Sequence, residues 1–275
     1  MSEQQARPAP PAAVEEAQRS VACRCRNTSV DFSATTGSRR ILEGVDLTLL
    51  DGEFVSILGR SGTGKTTLLR VLGGLLDATR DSEVTFHGQP VDGPPQGVVF
   101  VFQNYAASLL PWRTIGRNVG LGLEGKLPTE EIRARIAESL EMVGLGDRAR
   151  DYPWQLSGGM QQRVQLARSL AMKPRGLLMD EPFGSLDAMT KASLQDQLQT
   201  VHQRTGATIA FVTHDIDEAV FLSDRILILD GSPARIAYDI PVLLPRPRDQ
   251  LATKEMPEFL RLRRRVYDAI VGPRA

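Results

Sequence analysis

Hydrophobic positions divide the chain into three stretches with different periods. In the first, Val45-Asp46-Leu47-Thr48-Leu49 alternates apolar and polar residues as a half-buried strand does. Asp51-Gly52 is a turn signal, and Phe54-Val55-Ser56-Ile57-Leu58 is a short apolar run that reads as a buried strand. Residues 67–72 read as a helix, and Val84-Thr85-Phe86-His87-Gly88 as a further strand and turn. In the second stretch, from about residue 104 to 168, the period becomes helical. Ile132, Ile136, Leu140 and Val143 recur at helical spacing after a Pro128-Thr129 start and before a stop at Gly144. From residue 177 to 229 strands and helices alternate, which implies mostly parallel strands joined by helical crossovers. Beyond residue 240, Phe259, Leu262, Val266 and Ile270 form one apolar face of a short helix that also carries Arg261, Arg263, Arg264 and Arg265. The favoured reading is a docked amphipathic helix with a solvated basic face; attraction to an acidic membrane surface is the alternative.

Composition narrows the class. The 275 residues carry 33 basic and 33 acidic side chains, so no global basic footprint for nucleic acid exists. No run approaches the roughly 18 apolar residues of a membrane span. Residues 1–20 hold Pro8, Pro10 and Pro11 and almost no large apolar residue, which predicts a disordered tail without the apolar core of a secretory signal. A cytoplasmic location is the expectation. Cys23 and Cys25 are the only cysteines; a lone C-x-C cannot complete a four-ligand zinc site, and alternate positions on the first strand suit them better.

The chemistry begins at Gly59-Arg60-Ser61-Gly62-Thr63-Gly64-Lys65-Thr66-Thr67, which fits G-x-x-x-x-G-K-[ST]. Glycines let backbone N–H groups close on phosphate oxygens, and the lysine reaches the terminal phosphates. The loop falls between a predicted strand and a predicted helix, where a helix N-terminus favours an anion. About a hundred residues later, Ser157-Gly158-Gly159 opens a second helix, with Val164, Leu166, Ala167 and Leu170 at helical spacing. An ordinary N-cap explains Ser157 but not two consecutive glycines before Met160.

The segment Leu156-Ser157-Gly158-Gly159-Met160-Gln161-Gln162-Arg163 resembles the L-S-G-G-x-Q-Q-R signature of ATP-binding-cassette (ABC) ATPases. The resemblance covers roughly residues 21 to 240. It implies an α/β P-loop NTPase core with an antiparallel β subdomain and an inserted helical subdomain at about 104–168, followed by a C-terminal extension over 241–275. It also implies a head-to-tail dimer of two copies, in which Ser157, Gly158 and Gly159 of one face the ATP held by the phosphate loop of the other. Leu177-Leu178-Met179-Asp180 is the family's strand ending in a carboxylate: Asp180 would hold Mg²⁺, with Thr66 supplying a hydroxyl ligand. Glu181 points elsewhere from a strand end and is the candidate general base. Gln103 matches the glutamine that senses Mg²⁺ and the attacking water, and His214 the histidine that contacts the γ-phosphate. Gly184-Ser185-Leu186-Asp187 resembles the D-loop, with Ser185 where alanine is usual. Phe32 is the aromatic expected to stack on adenine.

Subtype is carried by two further segments. Leu109-Leu110-Pro111-Trp112-Arg113-Thr114-Ile115, with Asn118-Val119, and the later Pro245-Arg246-Pro247-Arg248 resemble the ATPases of nitrate, taurine and aliphatic-sulfonate importers. The roughly sixty residues after His214 are too few for the appended β-barrel of sugar and polyamine importer ATPases. The resemblance therefore implies an ATP-hydrolysing importer subunit on the cytoplasmic face of the membrane. It would bind separate permease subunits and, through them, a solute-binding protein, with no nucleic acid partner. An exporter subunit, or a soluble cassette acting on nucleic acid or ribosomes, is the alternative. Trp112 is either an anchor for the permease or a residue packed inside the helical region.

Overall fold

Five apolar runs and five more polar strands share one sheet in the computed structural model, which describes residues 19–34, 37–102, 108–184 and 186–272. Its strands are β1 (Val21–Ala34), β2 (Gly37–Leu50), β3 (Phe54–Gly59), β4 (Glu83–Phe86), β5 (Gln89–Pro90), β6 (Val98–Val101), β7 (Gly176–Asp180), β8 (Thr208–Val212), β9 (Arg225–Gly231) and β10 (Ala234–Pro241). They lie in the order β5-β4-β1-β2-β10-β9-β3-β8-β7-β6. The half from β9 to β6 is parallel throughout. The pairs β1–β2, β1–β4, β4–β5 and β9–β10 are antiparallel, and β10 meets β2 through the single parallel pair Ala234 and Leu42.

The sequence explains the division. Every residue of β7 and β8, and all of β3 except Gly59, is buried, as expected for strands covered by helices on both faces. In β2, by contrast, Val45, Leu47 and Leu49 are buried while Asp46 is exposed, so the predicted alternation sets which face meets the core. Cys23 and Cys25 occupy alternate buried positions on β1, both as free thiols.

The helices are α1 (Lys65–Leu72), α2 (Ile115–Val119), α3 (Thr129–Met142), α4 (Gly158–Ala171), α5 (Ala188–Thr205), α6 (Ile216–Leu222), α7 (Ala252–Glu255) and α8 (Pro257–Val271). Helix α1 buries Leu68, Leu69, Val71 and Leu72 against β7 and β8. Glu130 and Glu131 stand in the first turn of α3, where the helix dipole favours negative charge. Helices α2, α3 and α4 pack on one another as the helical layer. This layer differs from the predicted stretch at both ends: its first described helix starts only at Ile115, and α4 continues to Ala171. The apolar run Val98-Val99-Phe100-Val101-Phe102, which reads as a strand leading to Gln103, pairs as β6 only as far as Val101, and Phe102 lies outside the strand with its ring 4.4 Å from that of Phe100.

Asn118 shows how this layer is held. It is fully buried, and its amide donates to the carbonyls of Leu110, Arg113 and Thr114 at 3.0–3.1 Å. Its side-chain oxygen accepts from Leu110 N at 2.8 Å and from Arg168 of α4 at 2.9 Å. Arg168 also donates to Ser108 O at 2.9 Å. The segment carrying Trp112 is thereby pinned to α4, and Trp112 itself is 72% exposed. The reading that packs Trp112 inside the helical region is excluded: Asn118 and Arg168 take the interior, and the indole projects outward.

At the C-terminal end, α8 docks through Phe259, Leu262 and Val266 onto α6. Its arginines face acids: Arg261 meets Glu258, Arg264 meets Asp268 at 3.0 Å and Arg263 lies 3.8 Å from Asp217. The helix is thus the docked amphipathic element.

Candidate active site

The glycine loop, Asp180 with Glu181, and His214 follow the carboxyl ends of the parallel strands β3, β7 and β8, where open α/β sheets place their ligands. Strand β3 runs into the glycine loop and α1. Gly64 stands at φ +88°, and a Cβ there would lie 2.9 Å from Leu42 Cδ2, so the loop closes against β2 only with glycine. No side chain caps α1 and its first turn holds no acidic residue, leaving its N-terminal dipole uncompensated. Lys65 Nζ donates to the carbonyls of Gly59 and Arg60, each at 3.0 Å, so the ammonium lies within its own loop. Burial pulls its pKa below the usual lysine range, while Glu181 and Asp180 act in the opposite direction. Thr63 Oγ1 donates to Arg60 O at 2.8 Å. Gly59 ends β3, Ser61 and Gly62 lie in the loop, and Thr67 falls in the first turn of α1.

Strand β7 delivers Asp180 to the same edge. Thr66 Oγ1 donates to Asp180 Oδ1 at 3.0 Å across 114 residues of sequence. Burial raises the Asp180 pKa, and the Thr66 hydrogen bond opposes the rise. A carboxylate and a hydroxyl at this spacing form a donor set of hard oxygens that suits a small divalent cation. Glu181 follows with a left-handed backbone, φ +45°, a conformation that costs a non-glycine residue energy and clusters at functional positions. This twist separates the two carboxylates: Asp180 faces Thr66, whereas Glu181 Oε2 lies 3.3 Å from Nδ1 of His214, just beyond β8.

Behind His214 is a network that sequence reasoning missed. Thr213 Oγ1 donates to Glu218 Oε2 at 2.5 Å, and Lys191 Nζ reaches Glu218 at 3.0 Å and Asp215 at 3.2 Å. Asp215 caps α6 by accepting from Asp217 N and Glu218 N. Burial raises the Glu218 pKa against the pull of Thr213 and Lys191. Burial opposes the charge on Lys191 too, but the bonds to Glu218 and Asp215 outweigh it and raise its pKa. The spacing D-x-x-E signals a helix start; nothing in it signals that Glu218 is buried.

The signature segment opens α4. Ser157 caps it, accepting from Met160 N at 3.4 Å, and Ser157 and Gly158 are exposed at the helix N-terminus. Gly159 has a second role, for a Cβ there would meet Thr190 Cγ2 of α5 at 2.3 Å. Gln162 donates to Pro182 O at 2.9 Å, joining the signature helix to the turn after Glu181. Among the remaining predicted residues, Phe32 is a half-exposed ring on β1 opposite Arg39. Gln103 and Ser185 lie outside the described residues. Arg60 makes a contact that the sequence did not suggest, donating to Ile270 O and Val271 O at the end of α8 at 3.3 and 3.5 Å.

Comparison with known proteins agrees with this geometry. The family profile described as "ABC transporter" matches residues 42–184. The chain is 43% identical over 242 residues to the bicarbonate transport ATP-binding protein CmpC of Synechococcus elongatus, an alignment covering 86% of this chain and 36% of CmpC. The chain thus spans about a third of that relative's length. It is 44% identical to the aliphatic sulfonates import ATP-binding protein SsuB of Pseudomonas fluorescens, covering 79% and 78% of the two chains. Among solved structures, the dimeric post-hydrolysis state of the ATP-binding cassette MJ0796, bound to ADP and Pi, superposes with a TM-score of 0.68 at 32% identity, covering 80% of this chain and 98% of that one. With glycine loop, paired carboxylates and signature helix in place on a shared fold, the chain belongs to the ABC transporter family of ATP-binding cassettes.

Proposed function

We propose that this chain is the ATP-hydrolysing subunit of an importer for a small anion, an oxyanion or organosulfonate of the nitrate, taurine or alkanesulfonate type. The observation that carries the reading is the convergence of Lys65, Thr66, Asp180, Glu181 and His214 on one sheet edge. The names of CmpC and SsuB support the anion class. The dimeric state of MJ0796 supports a pair of copies with two composite sites.

In this reading Lys65 exchanges the carbonyls of Gly59 and Arg60 for phosphate oxygens when ATP enters, and the α1 amides take further oxygens. Thr66 and Asp180 would hold Mg²⁺, which when bound neutralises charge developing on the transferred phosphoryl group. Glu181 accepts the proton of the attacking water, and His214 keeps that carboxylate oriented. Ser157 and Gly159 of the partner copy close the site over the γ-phosphate, with the exposed N-terminus of α4 directed at its charge. The described residues contain no helix long and apolar enough to cross a membrane. In this reading separate permease subunits carry the solute across it. The proposed location is the cytoplasmic face of the membrane. A solute-binding protein would act through the permease.

Phosphate release from Mg-ATP by the purified chain, with affinity capture from detergent-solubilised membranes, tests this. Hydrolysis together with co-purification of an integral permease is expected; hydrolysis with capture of ribosomes or nucleic acid instead would reject the importer reading.

Trp112 gives a second test. Its exposed indole stands on the segment pinned by Asn118, and Ile115 N donates to Asp151 O at 2.8 Å, near a second exposed aromatic, Trp154. Buried aromatics frequently dominate interfaces. Trp112→Ala is expected to change the stability of the isolated subunit by less than about 0.5 kcal/mol, as surface substitutions do, and to leave ATP binding intact. Recovery of the permease complex should fall sharply. Undiminished assembly and solute-stimulated ATPase would remove Trp112 from the contact.

A further inference from the structure

The function proposed above gives the Pro245-Arg246-Pro247-Arg248 run no part, yet its second arginine is among the most enclosed charges of the described residues. Arg248 is 6% exposed. Its Nη1 donates to the carbonyls of Ser223 at 2.8 Å, Phe221 at 3.0 Å and Val220 at 3.4 Å, and its Nη2 to Leu244 O at 3.4 Å. Burial draws its pKa down to about 9, so the guanidinium stays charged at neutral pH. Three of these acceptors form the C-terminal end of α6. A seven-residue helix leaves most of its carbonyls without intrahelical donors, and a cation at that end also complements the helix dipole. Arg246 adds a bond to Leu222 O at 2.8 Å and pairs with Asp224, whose other oxygen accepts from Phe54 N of β3 at 2.9 Å. On its far side, Arg248 O accepts from Gln199 of α5 at 3.4 Å.

The other end of α6 starts two residues after His214. The His214 side chain is 62% exposed, so packing does not hold the ring. Its direction is set by the backbone of residues 213–215, anchored by β8 on one side and α6 on the other. The N-terminal anchor of α6 is the Asp215 cap with the Thr213, Glu218 and Lys191 network. At the C-terminal end Arg248 takes three carbonyls and Arg246 a fourth, beside the apolar contacts of α6 with β3 and α8. Loss of the Arg248 bonds would loosen that end, and a shift of so short a helix would carry the loop with it.

We propose that Arg248 is a positioning residue for His214: by binding the C-terminal carbonyls of α6 it fixes that helix where it packs on β3 and so holds the imidazole within reach of Glu181. The proposal rests on the ATPase reading above. It gives the Pro-Arg-Pro-Arg run a mechanical role in hydrolysis, separate from nucleotide binding, which depends on β3 and α1.

The full-length chain carries the test, as Arg248→Met and Arg248→Lys. Phosphate release, affinity for a fluorescent ATP analogue, thermal unfolding and imidazole NMR are read together. The chain has only three histidines, so the His214 ring signals can be assigned from a His214→Ala spectrum. At temperatures well below its unfolding midpoint, Arg248→Met is expected to lose about tenfold to a hundredfold in kcat, the scale of a small misplacement of reacting groups. Nucleotide affinity and KM should stay within about twofold, marking a loss confined to the chemical step. The His214 signals should shift or broaden while those of His87, on the turn between β4 and β5, stay put. Arg248→Lys, which keeps the charge and part of the bonding, should recover part of the rate. A folded Arg248→Met with wild-type kcat and an unmoved His214 spectrum overturns the proposal, as does a rate loss that merely tracks the unfolded fraction. If the methionine variant does not fold, Arg248→Lys decides alone: reduced kcat with a displaced His214 signal supports positioning, and wild-type values for both reject it. A wild-type chain that releases no phosphate would sink the ATPase reading instead, and the His214 spectrum would still decide whether Arg248 places the ring.

Discussion

Replacing Glu181 by glutamine is expected to lower ATP turnover by about 10²–10⁴-fold, the usual contribution of a general base. ATP affinity should change little. The side chain is nearly isosteric, and the groups proposed to bind phosphate and metal are Lys65, Thr66, Asp180 and the α1 amides rather than Glu181. The amide can still accept a hydrogen bond from His214, so the pairing at 3.3 Å need not break. Only the capacity to take up a proton is lost. Because hydrolysis would reopen the dimer, the variant should accumulate as an ATP-loaded pair, visible by size-exclusion chromatography in Mg-ATP. Normal turnover by a Glu181→Gln chain that stays monomeric would remove Glu181 from the role of base.

Mixing two inactive variants is expected to restore activity. Lys65→Ala removes the ammonium of the phosphate loop, and Ser157→Arg places a bulky cation at the exposed N-terminus of α4, where the helix dipole is already positive. Each homodimer then carries one lesion in both composite sites and should be nearly inactive. In a mixed dimer both lesions fall in the same site, and the other site is wild type. Phosphate release from the mixture should exceed that of either variant alone by a margin far outside error. If no mixing ratio restores activity although crosslinking shows that mixed dimers form and bind nucleotide, the two sites cannot fire independently. If the mixed dimers bind nucleotide no better than the homodimers, the sites are not shared across the interface.

Local motifs make most of the site legible in the amino-acid sequence. The glycine loop needs only nine consecutive residues, because an anion cradle is built from neighbouring amides. The run from Leu177 to Asp180 announces a buried strand and its terminal carboxylate by composition alone. The serine and glycines at 157–159 likewise reveal a helix start. The dual demand on Gly159 was not visible, because Thr190 approaches it from a helix thirty residues away. Glu218 stands in a helix start whose spacing carries no sign of burial, and only the packing of α5 against α6 buries it beside Lys191. The Pro-Arg-Pro-Arg run was legible only as a family trait. Hydrogen bonds to backbone carbonyls leave no partner side chain for the sequence to display.

What the sequence by itself determined is therefore part of the inventory: the strands and helices that flank the motifs, the phosphate loop, the acidic pair and the apolar face of α8. Each of these depends on neighbours in the chain or on a short period. What only the tertiary structure decided is the set of meetings between them. The order β9-β3-β8-β7-β6 brings Thr66 to Asp180, His214 to Glu181, and the tail to the end of α6. It also decided that Trp112 faces outward, since Asn118 and Arg168 take the interior. The physical reason is that periodicity reports which face of an element is apolar. It carries no record of which other element covers that face, and buried polar groups find their partners only after the cover is in place.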